Sequence, residues 1–382
     1  MEYLHFEINS VNVSKLPGKP CGDVSVTDRS KGITVHILAD GLGSGTKANI
    51  AATMCSSRLK ELIIRGMSLK RAFSNIVKTM EHARINDLPY SVFSVARILH
   101  DGTTSVFGYE MPAPILISGR NASVVKRSVE NFNDAIIGES NFNLRKGDAL
   151  LMVTDGVTQS GLGKGITNGW EIDGVAEYVT RLLNEGYKKQ DLIPLIIEKA
   201  KNNWKNKLED DCSVSLCFSR KGNVVNIFTG APSDSKNDSD VVNEFKQMHG
   251  LKIVCGATTA KIVARELDCH LQINENFSSN IAPPDYHIDG IDLVTEGAVT
   301  LNQLYNVWDI DSKFLEKFSP VTELYHLVKI ADKINLFVGQ SFNPASKDIS
   351  FVQTGTLIRS KIVELLVQKF RGEDKLVEIN YY

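Results

Sequence analysis

The chain lacks paired cysteines, membrane-length apolar runs and any excess of charge, and each lack removes a class of protein. Its six cysteines (Cys21, Cys55, Cys212, Cys217, Cys255 and Cys269) are scattered, with no CxxC pair. That argues against a zinc site or a disulfide framework and for small, reduced core residues of a cytoplasmic protein. No apolar run approaches the ~20 residues needed to cross a bilayer. The first seven residues, MEYLHFE, lack the basic-then-apolar order of a signal peptide. A net charge of −2 offers no pull toward nucleic acid or an anionic membrane, and no basic stripe is interleaved with aromatics. Neither nucleic acid nor membrane is therefore an expected partner. Hydrophobic and charged fractions of 42% and 23% are those of an ordinary packed protein. At 382 residues the chain exceeds one comfortable core, and the texture of the sequence places two domains at 1–222 and 223–382.

What the first domain does contain is four acidic islands: Gly22-Asp23, Asp40-Gly41, Asp155-Gly156 and Asp210-Asp211. Two of them end apolar, strand-like runs, Thr34–Ala39 and Ala149–Thr154. A carboxylate at a strand end projects from a rigid scaffold, and a following glycine lets its own carbonyl approach a ligand. Several such aspartates on neighbouring strands would form an all-oxygen nest, which suits hard divalent cations, magnesium or manganese, since no His or Cys joins it. A single Asp-Gly is most often a turn; the weight lies in the set. Gly43 and Gly45 serve the turn into a helix that starts at Thr46. His36 lies mid-strand and reads as a packed residue, and His82 and His100 have no metal spacing.

Helical periodicity runs over Thr46–Arg65 and Ser68–Arg84, then again over Asp173–Leu183 and Gln190–Asn203. Pro89–Leu99 and Thr103–Tyr109 flank Asp101-Gly102 as a hairpin. Further strands are expected near Ile115–Ser118, Leu150–Thr154 and Ser213–Ser219. Strands joined by tight turns, with helices inserted in blocks, point to antiparallel sheets flanked by helices.

The order and wording of the islands resemble the metal-dependent (type-2C, PPM) protein Ser/Thr phosphatases, specifically the bacterial sporulation-phosphatase (SpoIIE-type) branch, over about Pro20–Phe218. Gly138–Val157 looks like that family's segment ending in Thr-Asp-Gly, and Met111–Leu116 is a weaker echo of its Pro-rich turn. The resemblance implies an α-β-β-α sandwich of two antiparallel sheets. It implies two Mn2+ or Mg2+ ions, bridged by Asp40, with the Gly41 carbonyl on one and Asp155 and Asp210 completing the other, while Asp23 acts from the opposite strand. It further implies hydrolysis of phosphoserine or phosphothreonine on a regulatory protein by a metal-activated water. The absence of a Cys-x5-Arg or histidine nucleophile motif agrees with a reaction that forms no covalent phospho-enzyme. The family's last island reads Asp-Asn-x-Thr; Asp210-Asp211-Cys212-Ser213 fits it, but the doubled Asp leaves the register open by one residue, so Asp211 stays a metal candidate.

Three departures matter. Leu42 stands where eukaryotic members carry His, so the motif holds no general acid. No Arg precedes Asp23, and Lys19 is the nearest basic residue and the candidate phosphate contact. Thr158-Gln159-Ser160 stands where the branch often shows Thr-Glu-Ala, and the Gly-rich 161–169 that follows could be a flap or a plain surface loop. By the same resemblance, Thr46–Arg84 could act as a switch. A silent interaction protein of this fold, or a phosphatase of a small phosphorylated metabolite, stays open as an alternative.

From about Asn223, short apolar strands (Val224–Phe228, Lys252–Cys255, Ile291–Val294, Ile334–Val338) alternate with helix-like stretches such as Asp240–Met248 and Ala260–Leu267. That argues a smaller α/β domain with a mostly parallel sheet. At the strand ends, Gly256, Thr258 and Thr259 are candidate ligand-binding residues, a turn at a helix start being favourable for anions. Regulation, binding of a small ligand or regulatory partner, and assembly such as homodimerisation all stay open for this domain.

Overall fold

In chain order, residues 3–221 form β1 (Leu4–Val13), β2 (Asp23–Ser30), β3 (Ile33–Gly41), α1 (Thr46–Ile64), α2 (Leu69–Ile85), β4 (Ser91–Leu99), β5 (Thr103–Tyr109), β6 (Ile115–Ser118) and β7 (Asn121–Val124). There follow β8 (Ser128–Phe132), β9 (Ala135–Asn143), β10 (Ala149–Val153), the single helical turn α3 (Asp155–Thr158), α4 (Glu171–Asn184), α5 (Leu192–Asn203) and β11 (Cys212–Lys221). The computed structural model describes residues 3–30, 32–132, 135–274, 285–317, 319–341 and 356–382. It divides them into two compact units, 3–221 and 222–382.

The first unit has two antiparallel sheets, ordered β1-β11-β10-β6-β7 and β2-β3-β4-β5-β9-β8. The central strands β3 and β10 are apolar without alternation because both of their faces are covered. One face of each sheet meets the other sheet through Phe6, Leu38, Ile98, Leu150 and Met152. The outer face of one packs α1 and α2 around Leu59, Phe73 and Phe93; the outer face of the other packs α4 and α5 around Val179, Ile196 and Leu216. The layers are therefore α-β-β-α, the architecture that the resemblance implies. His36 is buried in β3, hydrogen-bonded with Thr27 Oγ1 at 3.0 Å and, across to the other sheet, with Ser215 Oγ at 2.6 Å. It is a packed residue that ties the two sheets together.

The second unit contains β12 (Val224–Thr229), α6 (Asp238–Gln247), β13 (Leu251–Cys255), α7 (Ala257–Glu266), β14 (Gln272–Asn274), β15 (Asp285–His287), β16 (Leu293–Thr295), α8 (Ala298–Val307), α9 (Pro320–Lys329), β17 (Lys333–Val338), α10 (Arg359–Gly372) and β18 (Leu376–Tyr381). Its sheet order is β14-β15-β16-β13-β12-β17-β18. In that order β16, β13, β12, β17 and β18 run parallel, and β15 pairs antiparallel with both β14 and β16. Helices α6 and α7 cover one face around Phe228, Phe245 and Phe337, and α8, α9 and α10 cover the other around Leu304, Trp308 and Phe370. This is a doubly wound α/β unit with its first strand in the middle of the sheet.

Candidate active site

Each acidic island sits at a strand end, and sheet register brings the islands together. Asp23 opens β2 and lies directly opposite Asp40, near the end of β3. In the other sheet β10 pairs with β11, so Asp155, just past β10, and Asp210-Asp211, just before β11, share one edge. Two contacts join the sheets there. Thr154 Oγ1 donates to Asp23 Oδ2 at 2.9 Å while accepting the Ser213 N–H at 2.9 Å. Asp211 Oδ2 accepts the Gly22 N–H at 2.5 Å.

The glycines beside these acids are required by close backbone approach more than by turn geometry. A Cβ on Gly41 would lie 2.0 Å from the Ala48 carbonyl oxygen of α1, and one on Gly156 would lie 2.0 Å from the Asp211 carbonyl oxygen. Only glycine lets α1 and the β11 lead-in close on the carboxylates. The Gly156 carbonyl is pinned by Trp204 Nε1 at 3.0 Å and Cys212 Sγ at 3.1 Å. Gly43 and Gly45 do take positive φ, 100° and 70°, as the turn into α1 demands. The Gly-rich stretch after Ser160 is closed by bonds from Lys164 N and Ile166 N to the Gly161 carbonyl, a compact surface loop.

The electrostatics are those of crowded acids. Burial, and then the charges of Asp23 and Asp155, push the Asp40 carboxyl far above the ordinary carboxylate range. Burial raises Asp23 to about 6, and burial followed by the charge of Asp210 raises Asp155. Asp23 Oδ1 and Asp155 Oδ1 are buried with no hydrogen-bond partner. An orphaned, buried carboxylate oxygen costs free energy until something positive meets it. Two such oxygens in an all-oxygen set fit a hard divalent cation. Among the described residues no three His, Cys, Asp or Glu side chains are already arranged as a metal cage, so the fit lies in donor chemistry.

The two acids of the last island have different surroundings. Asp211 is buried and both its oxygens are taken by backbone amides, Lys15 N at 2.6 Å and Gly22 N at 2.5 Å. Asp210 is more open and meets Lys15 Nζ at 2.9 Å. Lys15, in the β1–β2 connection, is a neighbour of the acids that sequence reasoning missed. Burial works against its charge, but the hydrogen bond and charge of Asp210, then Asp211 and Asp40, hold its pKa above the usual value. Lys19 is exposed, with its Cδ packed 3.7 Å from where a Gly45 side chain would begin. Gln159, in the place of the branch's Glu, donates from Nε2 to Asp155 Oδ2 at 2.9 Å.

In the second unit Gly256 is the N-cap of α7 with φ 122°, Thr258 is exposed, and Thr259 is buried with its Oγ1 accepting the Gly230 N–H at 2.8 Å.

Residues 30–219 match the family model for stage II sporulation protein E, SpoIIE. That span holds Asp40, Asp155 and Asp210, and the first unit of this chain belongs to the SpoIIE family of metal-dependent, PPM-type protein phosphatases. No curated protein matches the sequence. Among solved structures, the SpoIIE phosphatase domain from Bacillus subtilis is 19% identical, covering 58% of this chain and 95% of that one, with a TM-score of 0.45. The RsbU and RsbW domains of Rv1364c from Mycobacterium tuberculosis are 13% identical over 70% of this chain and 72% of that one, TM-score 0.48. RsbX in complex with magnesium is 14% identical over 57% and 96%, TM-score 0.39. These likenesses are too distant to add to the family match.

Proposed function

We propose that the first unit hydrolyses phosphoserine or phosphothreonine on a regulatory protein, using two Mn2+ or Mg2+ ions that Asp40, Asp155, Asp210 and the Gly41 carbonyl would hold, with Asp23 acting from the neighbouring strand β2. The observation that carries this reading is the convergence of four strand-end aspartates, two of which leave a buried oxygen without a partner. When bound, the ions supply an activated water and charge compensation for the phosphoryl group. The chain's own groups supply position. The Ser213–Thr154–Asp23 chain of hydrogen bonds orients one carboxylate, and Gln159 orients Asp155. Asp211 clamps the β1–β2 connection to the β11 lead-in through two amides and so presents Asp210 to the site. Lys15, rather than Lys19, stands as the cation at the rim, where its charge balances Asp210 and can meet a phosphate. Leu42 stands where a histidine general acid would, so leaving-group protonation would fall to water.

The second unit regulates, recognises the target or assembles the enzyme. A phosphothreonine peptide, a generic aryl phosphate and a panel of small phosphorylated metabolites, assayed with manganese, test the substrate class. Faster turnover of the peptide than of every metabolite is expected; the reverse order would overturn the protein-substrate reading.

A further inference from the structure

The strand order of the second unit puts its switch point between β12 and β17. The chain winds outward one way through β13 and β16, then returns to β17 and β18 on the other side. Loops diverge at such a point, and the crevice outside the carboxyl ends of the strands is where open α/β sheets take ligands. A cavity of about 600 Å³ opens there, inside the ~300–1,000 Å³ range of small-molecule sites.

Its walls are built for an anion. The first turns of α7 and α8, ten residues each, both open onto it. They abut through glycines: a Cβ on Gly297 would lie 3.3 Å from the Gly256 Cα. First-turn amides have no carbonyl partner within their own helix and carry partial positive charge. Arg359, at the start of the 14-residue α10, lines the same cavity. Its one hydrogen bond goes from Nη2 to the Ser341 carbonyl at 2.8 Å, and no carboxylate pairs with it among the described residues. Its guanidinium is half-buried, which draws its pKa down. Beside them stands Thr229, at the end of β12. It lines the cavity at 1% exposure, yet its Oγ1 has no hydrogen-bond partner.

One familiar seat is already covered. A Cβ on Gly230 would lie 1.9 Å from Arg359 Nη1. The guanidinium thus covers the first strand-to-helix turn, where a dinucleotide pyrophosphate would otherwise sit. The open seats are the turns after β13 and β16. Glu296, the one acid among the described lining residues, disfavours a bare, multiply charged anion.

We propose that this crevice binds a small phosphate ester of a sugar or nucleoside. Its phosphate rests on the first-turn amides of α7 and α8 beside Arg359, and its sugar or nucleoside part fills the rest of the cavity. The site stands apart from the phosphatase reading and does not depend on it.

Calorimetry on the full chain in EDTA, with inorganic phosphate, ribose 5-phosphate and AMP as probes, tests this. Saturable one-site binding is expected, with at least one ester binding at least tenfold more tightly than phosphate; whichever ester leads identifies the sugar phosphate or the nucleotide. Arg359→Gln should weaken binding at least tenfold. Thr258→Glu should abolish it without lowering the melting temperature, because a carboxylate in an exposed first turn supports the helix while repelling the ligand. Asp40→Asn should bind as the wild type does, separating this site from the metal centre. Failure of all three probes, an ester no better than phosphate, binding unchanged in Thr258→Glu, or binding lost in Asp40→Asn would each overturn the proposal.

Discussion

Asp210 and Asp211 are neighbours in sequence and differ in role, and Asp211→Asn separates the roles quantitatively. Asp211 is 3% exposed and receives backbone N–H groups on both oxygens. Asparagine keeps one acceptor and turns an NH2 toward the other amide, so a hydrogen bond to a charged group, worth ~1.5–3 kcal/mol, is lost and a buried N–H is left facing a donor. The sum is about 3 kcal/mol. At about 2–4 °C per kcal/mol for a unit of this size, the metal-free melting temperature should fall by roughly 6–12 °C. Asp210 has a side chain 36% exposed and an exposed-type ion pair with Lys15. Asp210→Asn should therefore cost no more than about 1 kcal/mol without metal, yet sharply weaken Mn2+ binding. Thermal unfolding in EDTA and Mn2+ calorimetry on both variants read the two effects. If Asp211→Asn left metal-free stability intact while abolishing metal binding, the clamp would be wrong and Asp211 would be the ligand.

Other consequences are as direct. Burial holds His36 at about 4 against 6.5 for the free side chain. The unfolded chain thus takes up a proton first as pH falls; the stability is fully present above pH ~6.5 and lost toward pH ~4, to a total of about 3 kcal/mol. NMR should show the His36 ring neutral from pH 7 to 5, and titration near 6.5 would refute this. Gly41→Ala drives a methyl into the Ala48 carbonyl oxygen. It should destabilise by at least ~1–3 kcal/mol and cut metal-dependent turnover at least tenfold; an unchanged urea midpoint would contradict the packing argument. Lys15→Met removes the cation that competes for Asp210 and should tighten Mn2+ binding several-fold by calorimetry; weaker binding would show that Lys15 supports the metal shell instead.

The sequence reads well where chemistry and periodicity coincide. Asp23, Asp40 and Asp155 stand out as acids at strand ends, and the apolar runs of β3 and β10 mark strands covered on both faces. The hairpin at Asp101-Gly102 and the paired helices after Thr46 were equally legible. Other features belong to tertiary structure. Lys15 lies in a connection whose return to the site depends on β1 pairing with β11, which no local pattern announces. That backbone amides close on Asp211 and leave Asp210 more open is again a long-range matter. The glycines after the aspartates looked like ligand-facing turns, whereas Gly41 and Gly156 admit neighbouring backbone. Strands β8 and β9 are short of apolar alternation and are held by their partners. Helix α9 carries a start signal in Ser319-Pro320, where Ser319 Oγ accepts the Val321 N–H, but the strand pattern that follows it is stronger. No described helix is long and apolar enough to cross a membrane, in keeping with the absence of such a run in the sequence.

The central claim is that the strand-end carboxylates make a metal-dependent phosphoprotein phosphatase. Release of phosphate from a phosphothreonine peptide, followed against Mn2+ and Mg2+ concentration for the wild type, Asp40→Asn and Asp155→Asn, tests it most directly. The account predicts turnover that rises with metal, vanishes in EDTA and is lost in both variants. Turnover that persists in EDTA, or survives in both variants, would contradict it.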